Sequence, residues 1–68
     1  MKNITTPIEI GNIIKKARKD QQMTQTELAA VAGVGVRFIV DIEKGKQTCE
    51  IGKTLNVLRM LGITLRIE

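Results

Sequence analysis

The sequence predicts a mainly α domain of four short helices, closed by a C-terminal β-strand that pairs across a homodimer. Three observations carry this expectation. Apolar residues recur at helical spacing in four separate stretches. Thr6 and Thr24 stand where a helix needs an N-cap. Residues 63 to 68 alternate apolar and polar, the two-residue period of a strand.

Residues 1 to 5 form a short polar lead. Thr6 and Pro7 open the first helix, over about 7–21, because Thr caps well and Pro is favoured at the first helical position. Ile10, Ile13, Ile14 and Ala17 follow the i, i+3, i+4, i+7 pattern of a buried face, with Lys15, Lys16 and Lys19 mostly off it. Thr24 caps a second helix over about 25–32, and Glu27, three residues on, completes a capping box. Leu28, Ala29 and Ala32 face inward; the small Ala29 allows close approach, and Gly33 suits the left-handed residue of a turn. Gly35 begins a third helix over about 36–44. Phe38, Ile39 and Ile42 form its inner face, and Lys44 and Gly45 end it. After a polar loop comes a fourth helix over about 50–61, with Ile51, Leu55, Leu58 and Leu61, joined by Val57, as a broad apolar stripe. Gly62 stops it.

The strand spans about 63–67. One strand cannot satisfy its own backbone, and no second convincing strand exists in the chain. The simplest partner is the same strand of a second copy, paired antiparallel across a two-fold axis, which assigns Ile63, Leu65 and Ile67 to dimerisation.

Composition narrows the function. A chain of 68 residues is one domain, and one this small buries only roughly 60% of its unfolded surface. Cys49 is the only cysteine, so no internal disulfide can compensate, and oligomerisation is the expected supplement. With no histidine and no second thiol, a structural zinc site is not expected, and Cys49 reads as an inert small residue near a helix start. Phe38 is the only aromatic residue, which disfavours base-stacking platforms for RNA or single strands. The net charge of +4 favours a polyanionic partner, although ribosomal or membrane contacts would give a similar balance. No apolar run approaches the roughly 20 residues of a membrane span, and the start lacks a signal-peptide stretch, so a cytoplasmic protein without membrane contact is expected. Enzyme chemistry is the weakest reading on several counts. There is no histidine, no carboxylate pair at catalytic spacing and no phosphate loop, and no room is expected for a pocket of about 300 Å³. No cofactor is expected.

Residues 24–45 therefore read as two short helices joined by a tight glycine turn, a helix-turn-helix, the shape that inserts its second helix into the major groove. Residues 7–62 resemble the Cro/repressor-type (XRE) helix-turn-helix family. The matching residues are Ala17-Arg18, then Met23-Thr24-Gln25-Thr26-Glu27-Leu28-Ala29, Gly33-Val34, and Ile39-Val40-Asp41-Ile42-Glu43-Lys44-Gly45-Lys46. Within that family the chain is most similar to HipB-type antitoxins. The likeness lies in the Arg37-Phe38-Ile39 opening of the third helix and in Leu61-Gly62-Ile63-Thr64-Leu65-Arg66, a strand in place of the usual fifth helix. The resemblance implies a dimer formed through that strand, repression of its own operon and binding of a HipA-type serine/threonine kinase toxin. The longer tail of some HipB-type proteins has no counterpart here.

The resemblance also assigns roles. Gln25 matches the family glutamine that contacts a DNA phosphate and braces the recognition helix, at a helix N-terminus that itself attracts phosphate. Gly35, Val36, Arg37, Val40 and Asp41 fall on the groove-facing side of the third helix. Arg37 either forks onto guanine O6 and N7, worth about 1–3 kcal/mol of discrimination, or contacts a phosphate. Val36 either touches a thymine methyl or fills space. Asp41 either accepts from a cytosine amine or holds Arg37, one turn away. Lys44 and Lys46, with Lys15 and Lys53, are expected phosphate neighbours. Arg18 and Glu43 match a family ion pair and read as structural, fixing the third helix.

Double-stranded DNA with a pseudo-palindromic operator is the implied partner, its half-sites about one helical turn apart or a multiple of it. If a toxin is tethered, the face away from DNA is expected to hold it, including Glu9, Asn12 and Arg59. A stand-alone phage- or mobile-element-type regulator is the alternative. A protein-interaction module that lost DNA binding is a third, disfavoured because Asp41 is the only acidic residue facing the groove.

Overall fold

A computed structural model describes residues 6–47 and 50–63. Four helices follow one another within them: α1 (Pro7–Asp20), α2 (Gln25–Ala32), α3 (Val36–Glu43) and α4 (Ile51–Met60). None is long and apolar enough to cross a membrane. The capping boxes of α1 and α2 are both complete. Thr24 Oγ1 accepts from the Glu27 N–H at 3.0 Å while the Glu27 carboxylate accepts from the Thr24 N–H at 2.8 Å. Thr6 and Glu9 form the same reciprocal box at the start of α1, 3.1 and 3.2 Å.

All four helices end in the same way. The residue just past each end takes a left-handed conformation: Gln22 (φ 58), Gly33 (φ 70), Gly45 (φ 84) and Gly62 (φ 78). The next N–H then reaches back to the carbonyl five residues earlier, Met23 to Arg18, Val34 to Ala29, Lys46 to Asp41 and Ile63 to Leu58, at 2.9–3.1 Å. Three of the four positions carry glycine, which adopts positive φ at no steric cost. Gln22 does not, and a left-handed L-residue is strained by about 1–2 kcal/mol. Gln22→Gly is therefore expected to raise stability by about 0.5 kcal/mol net of glycine's larger unfolded-state entropy. The check is the urea midpoint, which a wrong reading would leave unmoved or lower.

Each helix sends one side chain to a common centre. Ile14, Leu28, Ile39 and Val57 are fully buried there, and Ala29, Ala32, Ile42, Leu58 and Leu61 complete the core. α3 lies against α1 and α2, and α4 packs on α2. Two long-range polar contacts fix the remaining ends. The Asn56 amide donates to the Ala32 carbonyl at 2.6 Å, satisfying an orphan acceptor at the end of α2, and the Gln21 amide donates to the Leu61 carbonyl at 2.9 Å.

α4 departs from its expected stripe. Val57, Leu58 and Leu61 are buried, but Ile51 is 65% exposed and Leu55 45%. The inner face instead runs through Thr54, which is 5% exposed. Its hydroxyl donates to the Glu50 carbonyl at 3.3 Å, so a polar residue enters the core without an unmet group and the apolar stripe is rotated outward. A cleft of about 550 Å³ lies between the start of α1, the end of α3 and the start of α4. Pro7, Ile10, Ile42, Lys46, Gln47, Ile51 and Thr54 line it. Among the described residues a cleft thus stands where no room for a pocket of about 300 Å³ was expected. Of the strand expected over 63–67 only Ile63 is described, and it closes α4 and packs on the core. Leu65, Ile67 and Cys49 lie outside the described residues, among which there is no strand.

Candidate nucleic-acid interface

The sequence at the end of α3 creates an electrostatic problem. Glu43 is the last helical residue, where the negative end of the helix dipole disfavours a carboxylate, and it is also buried. Arg18, in the last turn of α1, resolves it with a forked contact: Nε donates to Glu43 Oε2 at 2.7 Å and Nη2 to Oε1 at 3.1 Å. The remaining guanidinium nitrogen donates to the Met23 carbonyl at 2.7 Å, so the pair reaches into the α1–α2 link. Gln25, in the first turn of α2, donates its amide to Glu43 Oε1 at 3.2 Å. One buried carboxylate therefore ties α1, the start of α2 and the end of α3 together. No buried side-chain polar atom among the described residues lacks a partner.

A second constraint holds α3 from below. Gly11 of α1 sits so close to the end of α3 that a Cβ there would press on the Ile42 carbonyl oxygen and lie 3.0 Å from that of Glu43. Nothing in the sequence flagged Gly11, and its only signal is a glycine in the middle of a helical pattern.

With its inner side fixed, α3 presents an outer face. Positions 36, 37, 40, 41 and 44 follow one another at alternating steps of one and three residues and share that face. Gly35 is the helix N-cap, with its N–H-rich first turn open; Val36, Arg37 and Lys44 are exposed, and Val40 is half-buried. The Arg37 side chain is 87% exposed, with Nε 3.6 Å from Asp41 Oδ1. Lys46 Nζ lies 3.6 Å from Asp41 Oδ2, a pairing the sequence reading missed because it crosses the helix end. Asp41 is 27% exposed and stands between the two cations. Lys53 is otherwise engaged, 3.0 Å from Glu50 and 5.8 Å from the Phe38 ring centre, while Lys15 is exposed on α1. The arrangement offers an exposed guanidinium, exposed ammonium groups and the uncapped start of α3 on a braced scaffold. It can bind an anionic polymer with a planar, hydrogen-bonding edge, and it groups no acid and base around a reacting centre.

A helix-turn-helix family profile matches residues 14–66. The HTH-type transcriptional regulator y4mF of Sinorhizobium fredii is 54% identical over 66 residues, 97% of this chain and 87% of that protein. Among solved structures, a chain of the HipA-HipB-O2-O3 complex superposes with a TM-score of 0.86 at 22% identity, covering 100% of this chain and 96% of its own. The restriction-modification controller protein C.AhdI from Aeromonas hydrophila gives a TM-score of 0.75 at 19% identity over 85% of this chain and 84% of its own.

Proposed function

The chain belongs to the Cro/repressor-type (XRE) helix-turn-helix family of DNA-binding transcriptional regulators, and on that premise we propose that it is a homodimeric operator-binding repressor and the antitoxin of a HipBA-like operon. The observation that carries DNA recognition is the braced outer face of α3. Arg37 is exposed and within reach of a base edge, while the Arg18–Glu43–Gln25 network fixes the helix that carries it. In this reading α3 enters the major groove, Arg37 reads a guanine, Val36 and Val40 meet the groove wall, and Gln25, Lys44 and Lys46 meet phosphates. Gly35 keeps the start of α3 free of side-chain bulk.

Selection from a random duplex pool is expected to return a pseudo-palindrome. On that sequence Arg37→Ala is expected to lose about 1–3 kcal/mol and to relax preference at one base pair of each half-site. A uniform loss across all sequences would assign Arg37 to phosphate instead.

Dimerisation is supported by the apolar surface that one copy leaves open. Ile51, Leu55 and Met60 of α4 are exposed, and the sequence that follows alternates apolar and polar at Ile63, Leu65 and Ile67. The antitoxin reading rests on the likeness to HipB along the whole chain, and its partner is a HipA-like kinase held on the face away from α3, with Glu9, Asn12 and Arg59 as contacts. A stand-alone regulator is the second reading, favoured by the likeness to C.AhdI. Co-purification of the tagged chain separates them: a kinase-like protein from the adjacent gene supports the antitoxin, and recovery of only the chain and DNA supports the regulator.

A further inference from the structure

We propose that Asp41 sets sequence discrimination by restraining the cations of the DNA-facing surface. This rests on the reading of α3 as the DNA-contacting helix. Arg37 stands in the first turn of α3 and Lys46 just past its end, yet a nitrogen of each stands 3.6 Å from separate oxygens of the one Asp41 carboxylate. The two contacts are too long for strong hydrogen bonds and suited to a loose electrostatic hold. Asp41 itself is mostly covered, while the Arg37 and Lys46 side chains are largely exposed, so the carboxylate is the fixed partner and the cations are the movable ones.

Two effects follow on any duplex. A carboxylate on a DNA-facing surface repels phosphate, and it competes with phosphate for Arg37 and Lys46, so binding that rests on backbone charge alone is weakened. A guanine edge offers Arg37 two directed acceptors in place of the loose hold, and Arg37 reaches it already partly ordered. Asp41 thereby lowers affinity for arbitrary sequence more than for the operator. It is a positioning residue, acting through Arg37 and Lys46.

The test is Asp41→Asn in the full-length chain, titrated against a short random-sequence duplex and against the duplex recovered by selection, each over a range of salt. On random duplex the variant is expected to bind several-fold more tightly, with a salt slope steeper by about 0.9 for each cation released to phosphate. The ratio of operator to random affinity is expected to fall. Asp20→Asn is the charge control: it removes one carboxylate paired with a lysine, Lys16, 3.1 Å away on α1, and is expected to leave the slope unchanged. In an Arg37→Gln, Lys46→Gln background, Asp41→Asn is expected to lose its effect on the slope.

An unchanged slope in Asp41→Asn overturns the proposal. So does a weaker operator affinity confined to one base pair with random binding unaltered, since Asp41 would then be accepting directly from a cytosine amine. Failure of the parent chain to bind either duplex at low salt would overturn the DNA-contact reading itself, and circular dichroism of both variants separates these results from misfolding.

Discussion

Arg18→Ala is expected to remove about 3–5 kcal/mol of folding stability, because it strands the Glu43 carboxylate in a buried site at the unfavourable end of a helix dipole. A domain of 68 residues holds only about 3–10 kcal/mol in total, so the variant should be largely unfolded or melt far below the parent. Gln25, the other group touching the carboxylate, is neutral and cannot replace the guanidinium. The loss would come from the uncompensated charge more than from the pair's own net worth. Arg18→Met combined with Glu43→Leu is therefore expected to recover most of the stability, as two apolar side chains of similar volume replace the ions. Urea unfolding of the single and double variants checks both halves. A loss under about 1 kcal/mol in Arg18→Ala would mean that the carboxylate is effectively solvated. The double variant carries a second expectation: it folds, but Gln25 has lost its anchor, so operator affinity should fall while stability does not. That split would separate the bracing role of the network from its structural one.

The legibility of this fold in its sequence follows the range of the interactions. Thr24 with Glu27, Gly33 in the turn and Gly62 at the end of α4 act within a few residues, so composition and spacing reveal them. The Arg18–Glu43 pair spans 25 positions and no periodicity points to it; it was legible through the family resemblance alone. The rotation of α4 was hidden because hydropathy ranks Leu55 above Thr54, whereas Thr54, its hydroxyl satisfied by the Glu50 carbonyl, is the one buried. The face of α3 was legible as a set of positions, but not the meeting of Lys46 with Asp41, which depends on where the chain turns after Gly45. Gly11 shows the limit most clearly. Judged locally it is a poor helix former, and its reason lies in another helix.

Gly11→Ala is the sharpest test of that reason. By local propensity alone the change should stabilise α1 by about 1 kcal/mol, since alanine is the better helix former. The expected result has the opposite sign. The added methyl would press on the Ile42 carbonyl oxygen and sit 3.0 Å from that of Glu43, and both are backbone atoms that no rotamer change can move aside. α1 and α3 would have to separate, loosening Ile14 from Ile39 and lengthening the Arg18–Glu43 contact that the same crossing makes. A net loss of about 2–3 kcal/mol is expected, or roughly 10 °C or more in the melting temperature of a domain this size. Gly52→Ala is the matched control within α4, where a Cβ meets no atom of the described residues within 4 Å, and it should stabilise the chain by up to about 1 kcal/mol. If the two variants behave alike in thermal and urea unfolding, the close crossing of α1 on α3 is wrong. If they diverge in sign, the crossing sets the position of α3, and Gly11→Ala should also weaken operator binding at temperatures where it remains folded, although it touches no DNA.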